Sequence, residues 1–185
     1  MEDAAIVQLY WDREERAIAE SDRKYGIFCI RMAQNILNSS QDAEECVNDT
    51  WHRAWDTMPP QRPENLRAYL GRIVRNLSID RWRRGRAQKR GEGMELMLSE
   101  LEGCLPGGPT PEQELENREI TRAIEGWLDT LTREERALFL GRYWYGERVD
   151  ALSRRWSCTP NAMAQRLLRL RSGLRRWLEE KEVAV

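Results

Sequence analysis

Histidine and cysteine, which supply most metal ligands and many catalytic nucleophiles, are scarce in this chain. It has one histidine, His52, and four cysteines that lie far apart with no CxxC pair. Zinc ligands normally come in close pairs, so we predict no metal site and no cofactor. The chain also lacks a carboxylate pair, a nucleophile beside a base and a phosphate-binding loop, which argues against an enzyme. Cys29 and Cys46 are expected to act as small buried apolar residues.

Long apolar runs are also missing. No segment approaches the roughly 20 apolar residues that a helix needs to span a bilayer. The N-terminus is acidic, with Glu2 and Asp3, and does not have the cationic start of a signal peptide. We therefore expect a cytoplasmic protein that does not insert into a membrane.

Strand-like alternation of apolar and polar residues is absent too, and almost the whole chain has the periodicity of amphipathic helices. The exception is the segment 91–117, which holds eight glycines and prolines, seven acidic residues and no basic one. These features predict an all-α protein with two helical domains, 1–86 and 118–185, the second a helix-turn-helix domain. A flexible acidic linker, 87–117, is expected to join them, with a short helical turn near 94–101.

The net charge of −1 conceals strong segregation of charge along the chain. Residues 1–60 carry a net −6, residues 61–90 a net +8, residues 91–117 a net −7 and residues 148–185 a net +5. Basic blocks of this kind are typical of proteins with anionic targets, and the acidic blocks indicate a different partner.

An amphipathic helix is predicted after Asp42, which is a plausible N-cap, and the Pro59-Pro60 pair ends it. Its apolar face has the spacing i, i+3, i+4, i+7, i+8, i+11, i+12. That face consists of Ala43, Cys46, Val47, Thr50, Trp51, Ala54 and Trp55. The opposite face is mostly acidic and holds Glu45, Asp49, His52 and Asp56. Such a face is either solvated or a docking surface for a basic partner.

A second amphipathic helix is predicted from Glu64 or Asn65 to Arg84. Its buried stripe consists of Leu66, Tyr69, Leu70, Ile73, Val74 and Leu77. The rest of its surface holds Arg67, Arg72, Arg75, Asn76, Arg81, Arg83 and Arg84, with Tyr69 and Trp82 among them. A solvated helix usually mixes charges of both signs, whereas arginines with amides and aromatics suit phosphate contacts and stacking on unpaired bases. We therefore favour nucleic acid as the target of this helix.

The C-terminal domain has the pattern of a helix-turn-helix motif. Thr132 and Glu135 have the spacing of a capping box that opens one helix. A short helix over 149–156 follows, and after a turn Thr159 is the predicted N-cap of a long helix with Pro160 in its first position.

The long helix that Thr159 opens has the features of a recognition helix. Its inward face consists of Met163, Leu167, Leu170, Leu174 and Trp177. In its N-terminal half, the residues that point away from this inward face are Asn161, Ala164, Gln165, Arg166 and Arg169. Asn and Gln can pair with adenine and Arg with guanine in the major groove. The alternative is an ordinary αα-hairpin with a basic outer face.

These segments, in this order, resemble the extracytoplasmic-function (ECF) sigma factors of bacterial RNA polymerase. DAEECVNDTW with RAW, at 42–55, resembles the polymerase-binding helix of that family (region 2.2). LRAYLGRIVRNLSIDRWRR, at 66–84, resembles the promoter-melting helix (regions 2.3 and 2.4). Residues 131–146 are similar to region 4.1, and SCTPNAMAQRL, at 157–167, is similar to the recognition helix of region 4.2.

The resemblance implies a role for each candidate residue. Binding to the clamp helices of the polymerase's largest subunit would use Glu45, Asp49, His52, Trp55 and Asp56. Binding of the −10 element would use Asn65, Arg67, Arg72, Arg75, Asn76, Arg83 and Arg84. Reading of the −35 element would use Thr159, Asn161, Ala164, Gln165, Arg166 and Arg169.

The implied partners are core RNA polymerase (its clamp helices and flap region), promoter DNA and an anti-sigma factor. Ala164 departs from the family, which commonly has a polar or basic residue there. The competing hypothesis is a helix-turn-helix regulator that binds DNA without polymerase. Such a protein should bind duplex DNA tightly by itself, with a steep salt dependence.

Overall fold

The computed structural model describes residues 1–85, 92–102 and 114–181, and within these ranges every regular element is a helix, as predicted. The helices are α1 (Asp3–Trp11), α2 (Arg16–Leu37), α3 (Ser40–Thr57), α4 (Leu66–Gly85), α5 (Glu92–Glu102), α6 (Glu114–Thr130), α7 (Arg133–Tyr143), α8 (Val149–Arg155) and α9 (Pro160–Glu180). The chain divides into two compact units, Met1–Glu92 and Gly93–Val185. None of the described helices combines the length and the apolar character needed to cross a membrane.

The first unit is built on α2, α3 and α4, which pack against one another, while α1 packs on α2. Cys29 and Cys46 are fully buried in this core, as predicted. Two polar groups of this core are paired with each other: the hydroxyls of Tyr10 and Ser21 lie 2.9 Å apart in a buried hydrogen bond. Such pairing removes the desolvation cost that unpartnered buried hydroxyls would carry.

The prediction of Asp42 as the N-cap of α3 is wrong, because the helix begins three residues earlier. Ser39 has an extended backbone, and its Oγ accepts a hydrogen bond from the Asp42 N–H at 3.3 Å. Asp42 therefore lies in the first turn, where its negative charge still favours the helix dipole. The helix ends as expected, with Met58 in an extended conformation immediately before Pro59.

Helix α4 begins at Leu66, and the Asn65 side chain caps it by accepting a hydrogen bond from the Ala68 N–H at 2.9 Å. Trp82 is buried, which corrects the prediction that it lies among the exposed arginines. The reason is helical phase, because Trp82 lies two successive four-residue steps after the buried Val74. Gly71, in the first half of α4, lets this helix approach α2 closely, since a Cβ there would lie 3.2 Å from the Phe28 ring.

The predicted capping signals of the second unit are confirmed. Thr132 Oγ accepts the Glu135 N–H at 3.2 Å, and the Glu135 carboxylate accepts the Thr132 N–H at 3.0 Å. Thr159 Oγ accepts the Ala162 N–H at 3.2 Å, with Pro160 at the first position of α9. These bonds satisfy amide groups that the start of each helix would otherwise leave unpaired.

The core of the second unit joins α9 to α6, α7 and α8. Trp127 of α6 packs edge-on against Phe139 of α7, with ring centroids 4.8 Å apart. The Trp177 indole N–H donates to the Ala123 carbonyl at 2.9 Å, which ties the C-terminal half of α9 to α6. Between α7 and α8, Gly146 has φ 68°, a left-handed conformation in which glycine carries no steric cost.

The structure differs from the predicted linker, 87–117, because part of that segment is the helix α5. Met94 and Met97 of α5 are buried, and Glu100 binds Arg142 of α7. The second unit therefore begins at Gly93 rather than near residue 118, and the expected helical turn extends to three turns of helix. Residues 87–91 and 103–113 of the predicted linker lie outside the described part of the chain.

Candidate protein- and nucleic-acid-binding surfaces

The acidic face of α3 is exposed, as the sequence predicts. Asp49, His52 and Asp56 all lie at the surface, on adjacent turns of the helix. Glu45 is also exposed but is already paired, because its carboxylate accepts a hydrogen bond from the Arg81 guanidinium of α4. The face therefore keeps its negative charge mainly at Asp49 and Asp56.

Trp55, a predicted docking residue, is half-buried and held by two neighbours. The Arg13 guanidinium donates to its carbonyl at 2.7 Å and lies 5.3 Å from the centre of its ring. Tyr10 packs against the same indole in an edge-on arrangement, with centroids 6.3 Å apart. Trp55 is therefore a fixed wall of the surface rather than a mobile side chain.

A groove of about 700 Å³ runs between α2 and α3 beside the acidic face. It is lined by Glu15, Ile18, Ala19, Asp22, Asn48, Trp51, His52 and Trp55. Further along α2, Ile27 is 70% exposed and lines a neighbouring hollow together with Ile30 and Val47. An apolar floor with an acidic rim suits a basic, amphipathic partner segment.

The contribution of α2 to this surface was not predicted from the sequence. The helical spacing of Ile27 alone does not separate it from core residues. Its exposure, and so its place on this surface, could be recognised only once the packing of α2 was known.

On α4 the structure divides the predicted −10 residues into separate groups. At 100° per residue, Arg72, Asn76 and Arg83 fall within about 40° of one another on the exposed side of the helix. All three are exposed, and Arg84 lies on an adjacent exposed line. Asn65 is also exposed, although its amide oxygen caps the helix.

Two other predicted residues of this set have different surroundings. Arg67 projects from the opposite side of α4, with its guanidinium 4.6 Å from the centre of the Phe28 ring. Arg75 is half-buried, and this burial lowers the pKa of its guanidinium. Arg81, expected on the cationic face, instead bridges to α3 and lies 3.5 Å from the Asp42 carboxylate. The continuous cationic stripe is therefore narrower than predicted.

On α9 the predicted recognition residues are all exposed, and Thr159 caps the helix. Asn161, Ala164 and Gln165 lie within about 60° of an outward line through Leu168. Leu168 is 46% exposed and was not among the predicted site residues. Its position in the 3.6-residue repeat, next to the inward-facing Leu167, indicates that it points outward.

Arg166 and Arg169 extend from this face toward a second groove, of about 500 Å³. Its apolar lining includes Trp127, Leu138 and Trp156, and Glu134 and Glu135 lie at its edge. Asn161, Ala164, Gln165 and Leu168 thus share one exposed face of α9. The two predicted arginines lie beside that face, toward the second groove.

No group of three or more histidine, cysteine or acidic side chains in the described ranges is arranged to hold a metal ion. Burial raises the pKa of the Cys29 thiol to about 12, so this cysteine has no thiolate character near neutral pH.

Comparison with known proteins adds three findings. Residues 23–88, which span most of α2 and all of α3 and α4, match the family described as Sigma-70 region 2. The ECF RNA polymerase sigma factor SigE of Mycolicibacterium smegmatis is 29% identical over 128 residues, 69% of this chain and 45% of that protein. The chain therefore matches less than half the length of that relative.

Among solved structures, CnrH in complex with the cytosolic domain of CnrY is 18% identical and aligns with a TM-score of 0.45. The alignment covers 97% of this chain and 99% of that chain.

Proposed function

We propose that this chain is an ECF-type sigma factor, which binds core RNA polymerase and directs transcription initiation at promoters with specific −10 and −35 elements. The observation that carries the proposal is the match of residues 23–88 to sigma-70 region 2. Those residues place the acidic face of α3 and the cationic face of α4 on one compact unit. An acidic and a basic surface on one unit suit a protein that contacts both a basic protein and DNA.

The polymerase contact is assigned to α3 and its groove. Asp49 and Asp56 supply negative charge, and Trp55 and Trp51 supply an aromatic wall that is already fixed by packing. Interfaces of this kind gain affinity from buried aromatic groups and gain association rate and orientation from the charged rim. The clamp helices of the largest polymerase subunit are the proposed partner.

The −10 contact is assigned first to Arg72, Asn76 and Arg83, because these three side chains share one exposed stripe. Arginines there can bind phosphates, and the Asn76 amide can both donate to and accept from an unstacked base. Arg67 is not assigned to this stripe, since it projects from the opposite side of α4 and its guanidinium lies against Phe28.

The −35 contact is assigned to α9. Its capped N-terminal half exposes Asn161 and Gln165, whose amides can pair bidentately with adenine in the major groove. Arg166 and Arg169 lie to one side, where contacts to phosphate oxygens are the simplest role. Helix insertion into the major groove is the usual binding mode of a helix-turn-helix domain.

Binding to core polymerase tests the first half of the proposal. Labelled protein should bind core enzyme, and Asp49→Lys should weaken binding at least tenfold, because it places like charges at a basic interface. Glu180→Lys makes the same charge change on the exposed C-terminal end of α9 and should leave binding unchanged.

The free protein should bind duplex DNA weakly. Tight sequence-specific binding without polymerase, together with no affinity for core enzyme, would overturn the proposal in favour of an independent regulator. The steep salt dependence of such binding would identify its phosphate contacts.

A further inference from the structure

Leu168 occupies an unusual position on α9. It is 46% exposed, whereas the leucines before and after it in the inward repeat, Leu167 and Leu170, are 1% and 8% exposed. Single exposed leucines are common and need no explanation. This one, however, lies at the centre of the face that also presents Asn161 and Gln165, where a polar group would be better solvated.

The neighbour of Leu168 on this face is also apolar. Ala164 lies four residues earlier, one turn of helix away, and is exposed. Because alanine is short, it leaves room for DNA to approach the helix beside the longer leucine. The two side chains form a small apolar strip flanked by amide groups.

The chemistry of the major groove offers one apolar group to such a strip. Each thymine presents its C5-methyl there, while the other recognition features of the base pairs are hydrogen-bond donors and acceptors. Asn161 and Gln165 favour adenine, whose paired thymine brings that methyl into the same groove. Asn161 and Leu168 are about 10 Å apart along the helix axis, which corresponds to about three base-pair steps.

We infer that Leu168, with Ala164 beside it, reads the C5-methyl group of a thymine in the upstream promoter element. Leu168 is then a specificity-determining residue, and A·T pairs are selected from both strands: the adenine by an amide and the thymine by an apolar contact. The inference rests on the proposed function, since it assigns the base preference of the same helix.

The test replaces thymine by deoxyuridine, which removes the methyl group and keeps every hydrogen-bonding atom. Two templates carry a promoter that the wild-type holoenzyme uses. One template keeps the thymines of the upstream element, and the other has deoxyuridine at each of those positions. The two templates give run-off transcripts of different length. Both compete for limiting holoenzyme in one tube, so the transcript ratio reports relative promoter use.

We expect the wild-type protein to prefer the thymine template about fourfold, the effect of one buried methyl group. Leu168→Gln should reduce this preference to the background level. That level is measured with a template that carries deoxyuridine only in the spacer between the two elements. Leu96→Gln is the matched control, because Leu96 is also exposed but lies on α5, and it should keep the preference.

Equal use of the two templates by the wild-type protein would overturn the thymine contact but not the proposed function. An undiminished preference in Leu168→Gln would assign the methyl contact to a different side chain and would overturn it as well. Failure to find any promoter at which transcription requires this protein would refute the proposed function and this inference together.

Discussion

Removal of Glu100 should destabilise the second unit, although this residue lies in the segment predicted to be a linker. Its carboxylate accepts hydrogen bonds from Arg142 Nε at 3.2 Å, Arg142 Nη2 at 3.1 Å and the Tyr143 hydroxyl at 3.0 Å. Arg171 of α9 lies 3.5 Å from the same carboxylate. One acidic side chain of α5 thus binds α7 and α9 at once.

The expected cost of Glu100→Ala follows from the burial of Arg142, whose side chain is only 4% exposed. Removing one partner of a buried ion pair typically costs about 3–5 kcal/mol. Here Arg142 keeps its hydrogen bond to the Glu147 carbonyl at 3.1 Å. Release of α5 would also let water reach Arg142, so we expect a loss of about 2–4 kcal/mol in the free energy of unfolding of the second unit.

Hydrogen exchange measured by mass spectrometry on the full chain can separate the two units. A loss of 2–4 kcal/mol predicts that the slowest amides of α9 exchange about 30- to 1000-fold faster in Glu100→Ala. Amides of α2, in the first unit, should be unchanged and serve as the internal reference. Glu125→Ala, at an exposed position of α6, is the matched control and should change exchange little.

A change in α9 exchange of less than about threefold in Glu100→Ala would refute this reasoning. So would an equal change in both units, because the hydrogen bonds of the carboxylate to Arg142 and Tyr143 lie within the second unit.

Three further predictions concern other parts of the molecule. Thr159→Ala should lower the free energy of unfolding by about 1 kcal/mol because it removes the N-cap of α9, and thermal unfolding that matches the wild type would contradict this. A thiol reagent at pH 8 should modify the partly exposed Cys158 well before Cys29, since burial raises the pKa of the Cys29 thiol to about 12; peptide mapping that finds equal rates would count against the buried position. Arg83→Ala should reduce the salt slope of promoter binding by the holoenzyme by about one, whereas Arg81→Ala should not, because Arg81 is already paired with acids of α3; equal slopes for the two variants would reject the division of the α4 arginines.

The helices and their ends were largely predictable because their signals are local. The capping box at Thr132 and the cap at Thr159 each depend on residues within one turn of helix, and both are confirmed. The buried faces of α3 and α9 follow from a 3.6-residue repeat that needs no knowledge of the partner helix. Where the local signal was ambiguous, as between Ser39 and Asp42, the prediction chose the wrong cap.

The features that could not be predicted depend on contacts between residues distant in sequence. Arg81 and Arg83 have the same residue type and the same block of charge, yet only Arg81 lies within reach of the acids on α3. Glu100 is one of seven acids in its segment, and its role depends on Arg142, 42 residues later. Composition identified that segment as a linker, whereas tertiary packing makes part of it a helix of the second unit.

Run-off transcription by core RNA polymerase of the source organism, with and without this protein, tests the central claim most directly. Fragmented genomic DNA is the template, and the 5′ ends of the transcripts are sequenced. We predict defined start sites that require the protein, share an upstream element at a constant distance, and disappear with Asp49→Arg and with Gln165→Ala/Arg169→Ala. The same set of transcripts with and without the protein would contradict the proposed function.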